Sequence, residues 1–167
     1  VLAITAWAVV SGYGMIAVPV LAGLIAWAYY KSPRRTFPTA EQVTKGVDLK
    51  GCNVMVTGPT SGIGIDTARA LAVAGAHVFL VARNPTKLEE SKLSIIKDVP
   101  SAKLSVLTCD LGDLKSVQYC AKQFLEQKLN LHILINNAGI MALPERKGTV
   151  QGLEQQVGVC HVGHFLL

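Results

Sequence analysis

No charged residue occurs between Val1 and Tyr30. A water-facing surface cannot be built from such a stretch, and at about 1.5 Å of rise per residue a helix of ~20 of them crosses a hydrocarbon core roughly 30 Å thick. Paired cysteine spacing is also absent. Cys52, Cys109, Cys120 and Cys160 form no CxxC or other metal-ligand spacing, which argues against a zinc framework and leaves four small, buried, reduced residues as the expectation. Despite a net charge of +5, no basic cluster exists apart from Lys31, Arg34 and Arg35 beside the apolar segment. The other basic residues are dispersed among acids, so a nucleic-acid partner is not expected. The first residue is Val1 and not methionine, so a processed or partial chain is expected.

What the first thirty residues do contain fits a single membrane crossing. Trp27, Tyr29 and Tyr30 gather at one end, where amphipathic rings favour the interface, and the positive flank follows at once. That charge places the rest of the chain on the cytosolic, stromal or matrix side, with the lipid bilayer as a partner. Secretory signal peptides are shorter and end in small residues, and glycine and proline are tolerated in membrane helices. Pro33 and Pro38 then break the helix. The expected organisation is a transmembrane segment at 1–30, a linker at 31–46 and a globular domain at 47–167.

Within that domain, Val54-Met55-Val56 is a short apolar run that flows into Thr57-Gly58-Pro59-Thr60-Ser61-Gly62-Ile63-Gly64. Ile65, Ala68, Leu71 and Ala72 follow at helical spacing, with Gly75 as a stop. Strand, glycine turn and helix is the order in which backbone N–H groups at a helix N-terminus approach a pyrophosphate. Gly58 permits the turn, Gly62 the approach and Gly64 close packing of helix on strand. A second strand, His77 to Val81, completes the βαβ context. Where an acid would meet the ribose hydroxyls of NAD, the sequence has Ala82-Arg83-Asn84, and an arginine there suits the 2′-phosphate of NADP(H). Asn84 and Pro85 also suit an N-cap and first residue for a helix from Thr86 to Val99. A third strand is expected at Leu104 to Leu107, a helix from Asp113 to about Gln127, a fourth strand at Ile133 to Ile135 and a last helix from Gln151 to Leu167. Four buried strands alternating with helices imply an α/β fold with a parallel sheet covered on both faces.

TGPTSGIG at 57–64, Asp110-Leu111 after the third strand and NNAG at 136–139 together resemble the short-chain dehydrogenase/reductase family, over residues 47–167. NNAGIMALP followed by GLEQQVGVCHVGHFLL is most similar to its retinol-dehydrogenase branch and to relatives in plants and protists, with protochlorophyllide reductase a more distant look-alike. The resemblance implies a Rossmann-type sheet, here its first four strands in the order 3-2-1-4. It assigns Gly58, Ser61, Gly62, Ile63 and Gly64 to the pyrophosphate loop, Arg83 to the 2′-phosphate and Asp110 and Leu111 to adenine. Asn137, Ala138 and Gly139 would steady the fourth strand beside the adenosine.

Family chemistry is hydride transfer between a nicotinamide and an alcohol or carbonyl. A tyrosine serves as general acid/base, a lysine lowers its pKa, a serine polarises the carbonyl and an asparagine holds the relay water. No tyrosine here is followed four residues on by lysine, so the resemblance supplies no catalytic Tyr/Lys pair. The family's V-N-H-x-G-H-F reads Val159-Cys160-His161-Val162-Gly163-His164-Phe165, with Cys160 in the asparagine's place. A thiol is a weaker hydrogen-bond partner than an amide, so impaired turnover is expected, with Cys160 as a small core residue. His161 and His164 match the family pattern, in which both occur without metal. The sequence thus implies either part of a membrane-anchored NADP(H)-dependent oxidoreductase or a catalytically degenerate accessory subunit of a membrane complex. In both cases a neighbouring protein or further chain is expected to cover strand four and the last helix.

Overall fold

The computed structural model describes residues 37–167, together with residues 22–24 and 27, which are helical and exposed. The rest of the expected transmembrane segment lies outside the described residues, among which no helix is long and apolar enough to cross a membrane. The chain divides into two compact units, Val1–Phe37 and Pro38–Leu167. The second carries the sheet.

Its first element lies inside the stretch expected as linker. Gln42 N–H donates to Thr39 Oγ1 at 3.3 Å and Thr39 N–H donates to Gln42 Oε1 at 2.9 Å, a reciprocal capping box that starts a short helix, α1 (Ala40–Thr44). Then come β1 (Asn53–Thr57), α2 (Gly62–Val73), β2 (His77–Ala82), α3 (Pro85–Asp98), β3 (Lys103–Thr108), α4 (Leu114–Leu125) and β4 (Ile133–Ile135). Among the described residues these strands form one parallel sheet in the order β3-β2-β1-β4, as the sequence implied. The last helix, α5, is composite: Gln155–Val157 and Gly163–Leu166 are α-helical, and Gly158–Val162 between them is a π turn in which Gly163 N–H reaches back to Gly158 O. It begins at Gln155 and not at Gln151.

Side chains alternate faces along each strand, so a sheet covered on both sides needs apolar residues at consecutive positions. Val54, Val56, Val78 and Leu80 pack on one face with Ala68 and Leu71 of α2 and Leu88 and Ile95 of α3. Met55, Phe79, Val81 and Leu107 pack on the other with Val117, Cys120 and Phe124 of α4. There the Phe79 and Phe124 rings meet edge to face at 4.9 Å. Register continues this pattern across the sheet: Val56 lies beside Leu80 on one side and Ile135 on the other.

Two expectations need correction. Neither edge strand is a buried strand: β3 buries only Leu107, and β4, which among the described residues pairs only with β1, leaves Leu134 38% exposed, because a strand at the sheet edge has one neighbour and less cover. Nor are all four cysteines buried. Cys109 and Cys120 are, whereas Cys52 is intermediate and Cys160 exposed. Truncation should follow this burial. Phe79→Ala, at a side chain with no exposure, is expected to cost about 3–5 kcal/mol of unfolding free energy in chemical denaturation, and Leu134→Ala less than roughly half of that; equal losses would contradict the assignment of the core.

Candidate functional site

The C-terminal ends of β1 and β4 are locked together by one hydroxyl. Thr57 Oγ1 accepts from the backbone N–H of Asn137 at 3.0 Å and of Ala138 at 2.9 Å. In return, Asn137 Nδ2 donates to the carbonyls of Thr57 at 2.9 Å and Gly58 at 3.3 Å. The glycines make this possible. Gly58 has a φ of +67°, and a Cβ there would lie 2.9 Å from Ala138 Cα. At Gly64 a Cβ would strike Gly58 O and come within 2.6 Å of Asn137 Nδ2. Gly62, at a φ of +54°, has nothing within 4 Å on its Cβ side and so leaves open space.

Helix caps separate α2 from its neighbours. Asn84 caps α3 by accepting from Lys87 N–H at 3.1 Å, and Asp113 caps α4 by accepting from Lys115 N–H at 3.1 Å. Ser61, the N-cap of α2, makes no side-chain cap bond. The first N–H groups of α2 therefore lack a side-chain cap from Ser61, and with the helix dipole this end favours negative charge.

A cleft of about 630 Å³ lies along these strand ends. Its walls bring together Gly58, Ser61, Ile63 and Gly64 from the turn and α2, Arg83 after β2, Asp110 and Leu111 after β3, and Asn137, Ala138 and Gly139 after β4. Gly62 is not on the wall. Arg83 is exposed and forms no ion pair among the described residues. Asp110 Oδ1 accepts from Gly112 N–H at 2.9 Å, so one carboxylate oxygen already holds the loop. Leu111, 7% exposed, belongs to the core beneath.

A further wall has no counterpart in the expected site. The stretch read as the start of the last helix is instead a strap in which Gly148 bridges Glu154. Its Val150 N–H donates to Gly112 O at 3.2 Å. Gln151 clasps the start of α4, donating through Nε2 to Asp113 Oδ1 at 2.9 Å and accepting from Leu114 N–H at 3.2 Å. Gly148, Thr149 and Val150 thus join the cleft wall. Gln151 holds the Asp113 carboxyl below the usual carboxylate range, with the Lys115 N–H adding to the effect. Glu154 is lowered likewise by the N–H groups of Gln156 and Val157 that it caps. The sequence signal was Gly152, at a φ of +79°, inside what reads as helix.

Cys160 is not a core residue. Its sulfur faces the turn after β4, where it accepts from Ile140 N–H at 3.4 Å and donates to Ile140 O at 3.4 Å. One thiol thereby does both jobs, weakly, toward a single backbone unit. His161 is exposed while His164 is buried against Thr57, its Nε2 2.9 Å from Oγ1, so the two rings are not brought together.

Comparison with known proteins agrees with this geometry. A family model described as short chain dehydrogenase matches residues 52–167. The chain is 41% identical over 145 residues to a chloroplastic short-chain dehydrogenase, TIC 32 B, of Brassica napus, covering 87% of this chain and 45% of that protein. It is 40% identical over 148 residues to mouse (Mus musculus) retinol dehydrogenase 12, covering 88% of this chain and 46% of the relative. It therefore spans about half the length of these relatives. A metagenomic short-chain oxidoreductase solved in complex with NADP superposes with a TM-score of 0.61 at 27% identity, over 71% of this chain and 54% of that one.

The lock between β1 and β4 yields an ordering that hydrogen-bond chemistry fixes. Asn137→Ala removes two donated bonds and is expected to cost about 1–3 kcal/mol in denaturation. Asn137→Asp is expected to cost more, since a carboxylate would face two carbonyl oxygens; a milder effect for Asp than for Ala would refute the assignment.

Proposed function

The chain belongs to the short-chain dehydrogenase family, and we propose that it is part of a membrane-anchored, NADP(H)-dependent oxidoreductase of the retinol-dehydrogenase-like type, interconverting an alcohol and a carbonyl. The observation that carries this reading is the side-chain-uncapped N-terminus of α2 opening on the cleft between β1 and β4. The residues present fit the cofactor. Gly58, Ser61, Ile63 and Gly64 line the cleft at the start of α2, so a pyrophosphate there meets the N–H groups of α2, where the dipole favours negative charge. Arg83 offers an unengaged guanidinium for a 2′-phosphate, Asp110 and the backbone around Leu111 border the adenine end, and Asn137 to Gly139 form the floor beneath the adenosine.

When bound, the cofactor supplies the hydride donor or acceptor. This chain's residues bind it, orient it and exclude water from one side. Proton chemistry belongs to a tyrosine with a lysine four residues on, a pairing that none of the four tyrosines here makes, so the reading places it elsewhere in a longer protein. The alternative, a catalytically degenerate accessory subunit, rests on Cys160 standing where the family has asparagine. We place the anchor in residues 1–30, with the family domain on the cytosolic, stromal or matrix side of the bilayer. Either further chain or a neighbouring protein covers the β4 edge and α5, where Phe165 is 86% exposed.

Titration of the chain with NADPH, followed by nucleotide fluorescence, is expected to saturate. Arg83→Ala should weaken NADPH by about tenfold or more and leave NADH unchanged, the scale of a lost charge-assisted hydrogen bond; absence of saturable binding would overturn the cofactor assignment. For the full-length protein, turnover of retinal-like aldehydes should lie within about tenfold of its Cys160→Asn variant, roughly the worth of one exchanged hydrogen bond. Activity that appears only in the variant would instead establish the accessory-subunit reading.

A further inference from the structure

His164 is a buried histidine, 7% exposed, that the binding reading leaves without a task. Its contacts fix its chemistry. A threonine hydroxyl has one proton and two lone pairs. At Thr57 Oγ1 the lone pairs are taken by the N–H groups of Asn137 at 3.0 Å and Ala138 at 2.9 Å. Only the hydroxyl proton is left, with two acceptors in reach: Ile135 O at 3.4 Å and His164 Nε2 at 2.9 Å. The nearer, better one is the ring nitrogen, so Nε2 must be bare. The ring proton then sits on Nδ1, which donates to Cys160 O at 3.2 Å. A proton on Nε2 would instead aim a third donor at an oxygen with no lone pair to spare.

We propose that His164, as the Nδ1–H tautomer, is a positioning residue: it orients the Thr57 hydroxyl so that both lone pairs face the cleft floor, and it ties that floor to the main chain of Cys160. The consequence is directional. The Asn137–Ala138 segment keeps its place against Gly58 through Thr57, and the position that holds an asparagine in the family is tethered to the same point by its carbonyl, in the stretch where the helix takes a π turn. Such turns recur at functional sites because they displace a local stretch of helix without breaking it. His164 touches no reacting atom and acts through Thr57 and Cys160.

Two measurements on the full chain in mild detergent test this. The chain has four histidines, so ¹⁵N ring spectra are assignable, with His164→Gln identifying the signal by its loss. A protonated Nδ1 and bare Nε2 are expected for His164, and the opposite tautomer would overturn the proposal. This arm needs no nucleotide and is read on the unsubstituted protein. The second arm rests on the nucleotide-binding reading. His164→Phe should weaken NADPH by about tenfold, His164→Gln, which retains an acceptor for the hydroxyl, by no more than about threefold, and His164→Phe in a Thr57→Val background by less than about twofold further. Unchanged affinity in His164→Phe, or full additivity with Thr57→Val, would overturn the positioning role. If the unsubstituted chain binds no NADPH, the cofactor reading fails while the tautomer result still decides the bonding scheme.

Discussion

The hydroxyl of Thr57 is the point on which the functional end of the molecule depends. Strand β1 ends there, the glycine turn begins there, and the segment leaving β4 hangs from it by two backbone N–H groups. Each such bond contributes only about 1 kcal/mol net, but leaving a buried donor unpaired costs roughly 1–3 kcal/mol, so the arrangement is specified more strongly than its mean energy suggests. Thr57 is itself 1% exposed. Water cannot substitute for a lost partner at such a depth.

A second constraint, the absence of side chains at Gly58 and Gly64, follows from the same point. With strand ends this close, a Cβ at either position meets backbone, at Ala138 or at Gly58 O. Those two positions must stay without side chains, and the start of α2, whose N-cap Ser61 makes no side-chain cap bond, stays open to whatever enters the cleft. The other long helices start with capped ends, through Asn84 and Asp113. The strap clasped by Gln151 adds the remaining wall from a different part of the chain, and does so by completing the cap of α4.

This division explains what was legible in the sequence. The strands could be read because a sheet covered on both faces demands consecutive apolar residues, and the turn could be read because its glycines are required by local backbone geometry. The order β3-β2-β1-β4 followed from the resemblance that those motifs carry. What escaped depends on partners distant in sequence. Gln151 is a good helix former with a tertiary hydrogen-bonding role, and His164 is one histidine among four until Thr57 is placed beside it. The exposure of β4 leaves no trace in Ile133-Leu134-Ile135 themselves; it follows from the edge position that the order 3-2-1-4 already implied. Thr39 and Gln42 have the spacing of a capping box, but Pro33 and Pro38 before them carry the stronger signal of a linker.

Cys160 shows why a substitution read from sequence needs geometry before it is given a meaning. As a change from amide to thiol it suggests loss, since sulfur makes longer and weaker bonds. In place, however, the sulfur lies 3.4 Å from both the N–H and the carbonyl of Ile140, so the backbone that follows Gly139 is still held by a donor and an acceptor on one side chain. The carbonyl of the same residue is meanwhile bound by His164, at 3.2 Å, and owes nothing to the identity of the side chain. The position therefore makes two kinds of contact, one through a side chain that has changed and one through a main chain that has not. Only the first depends on which side chain stands at 160; the second runs through the main chain and is open to any residue there.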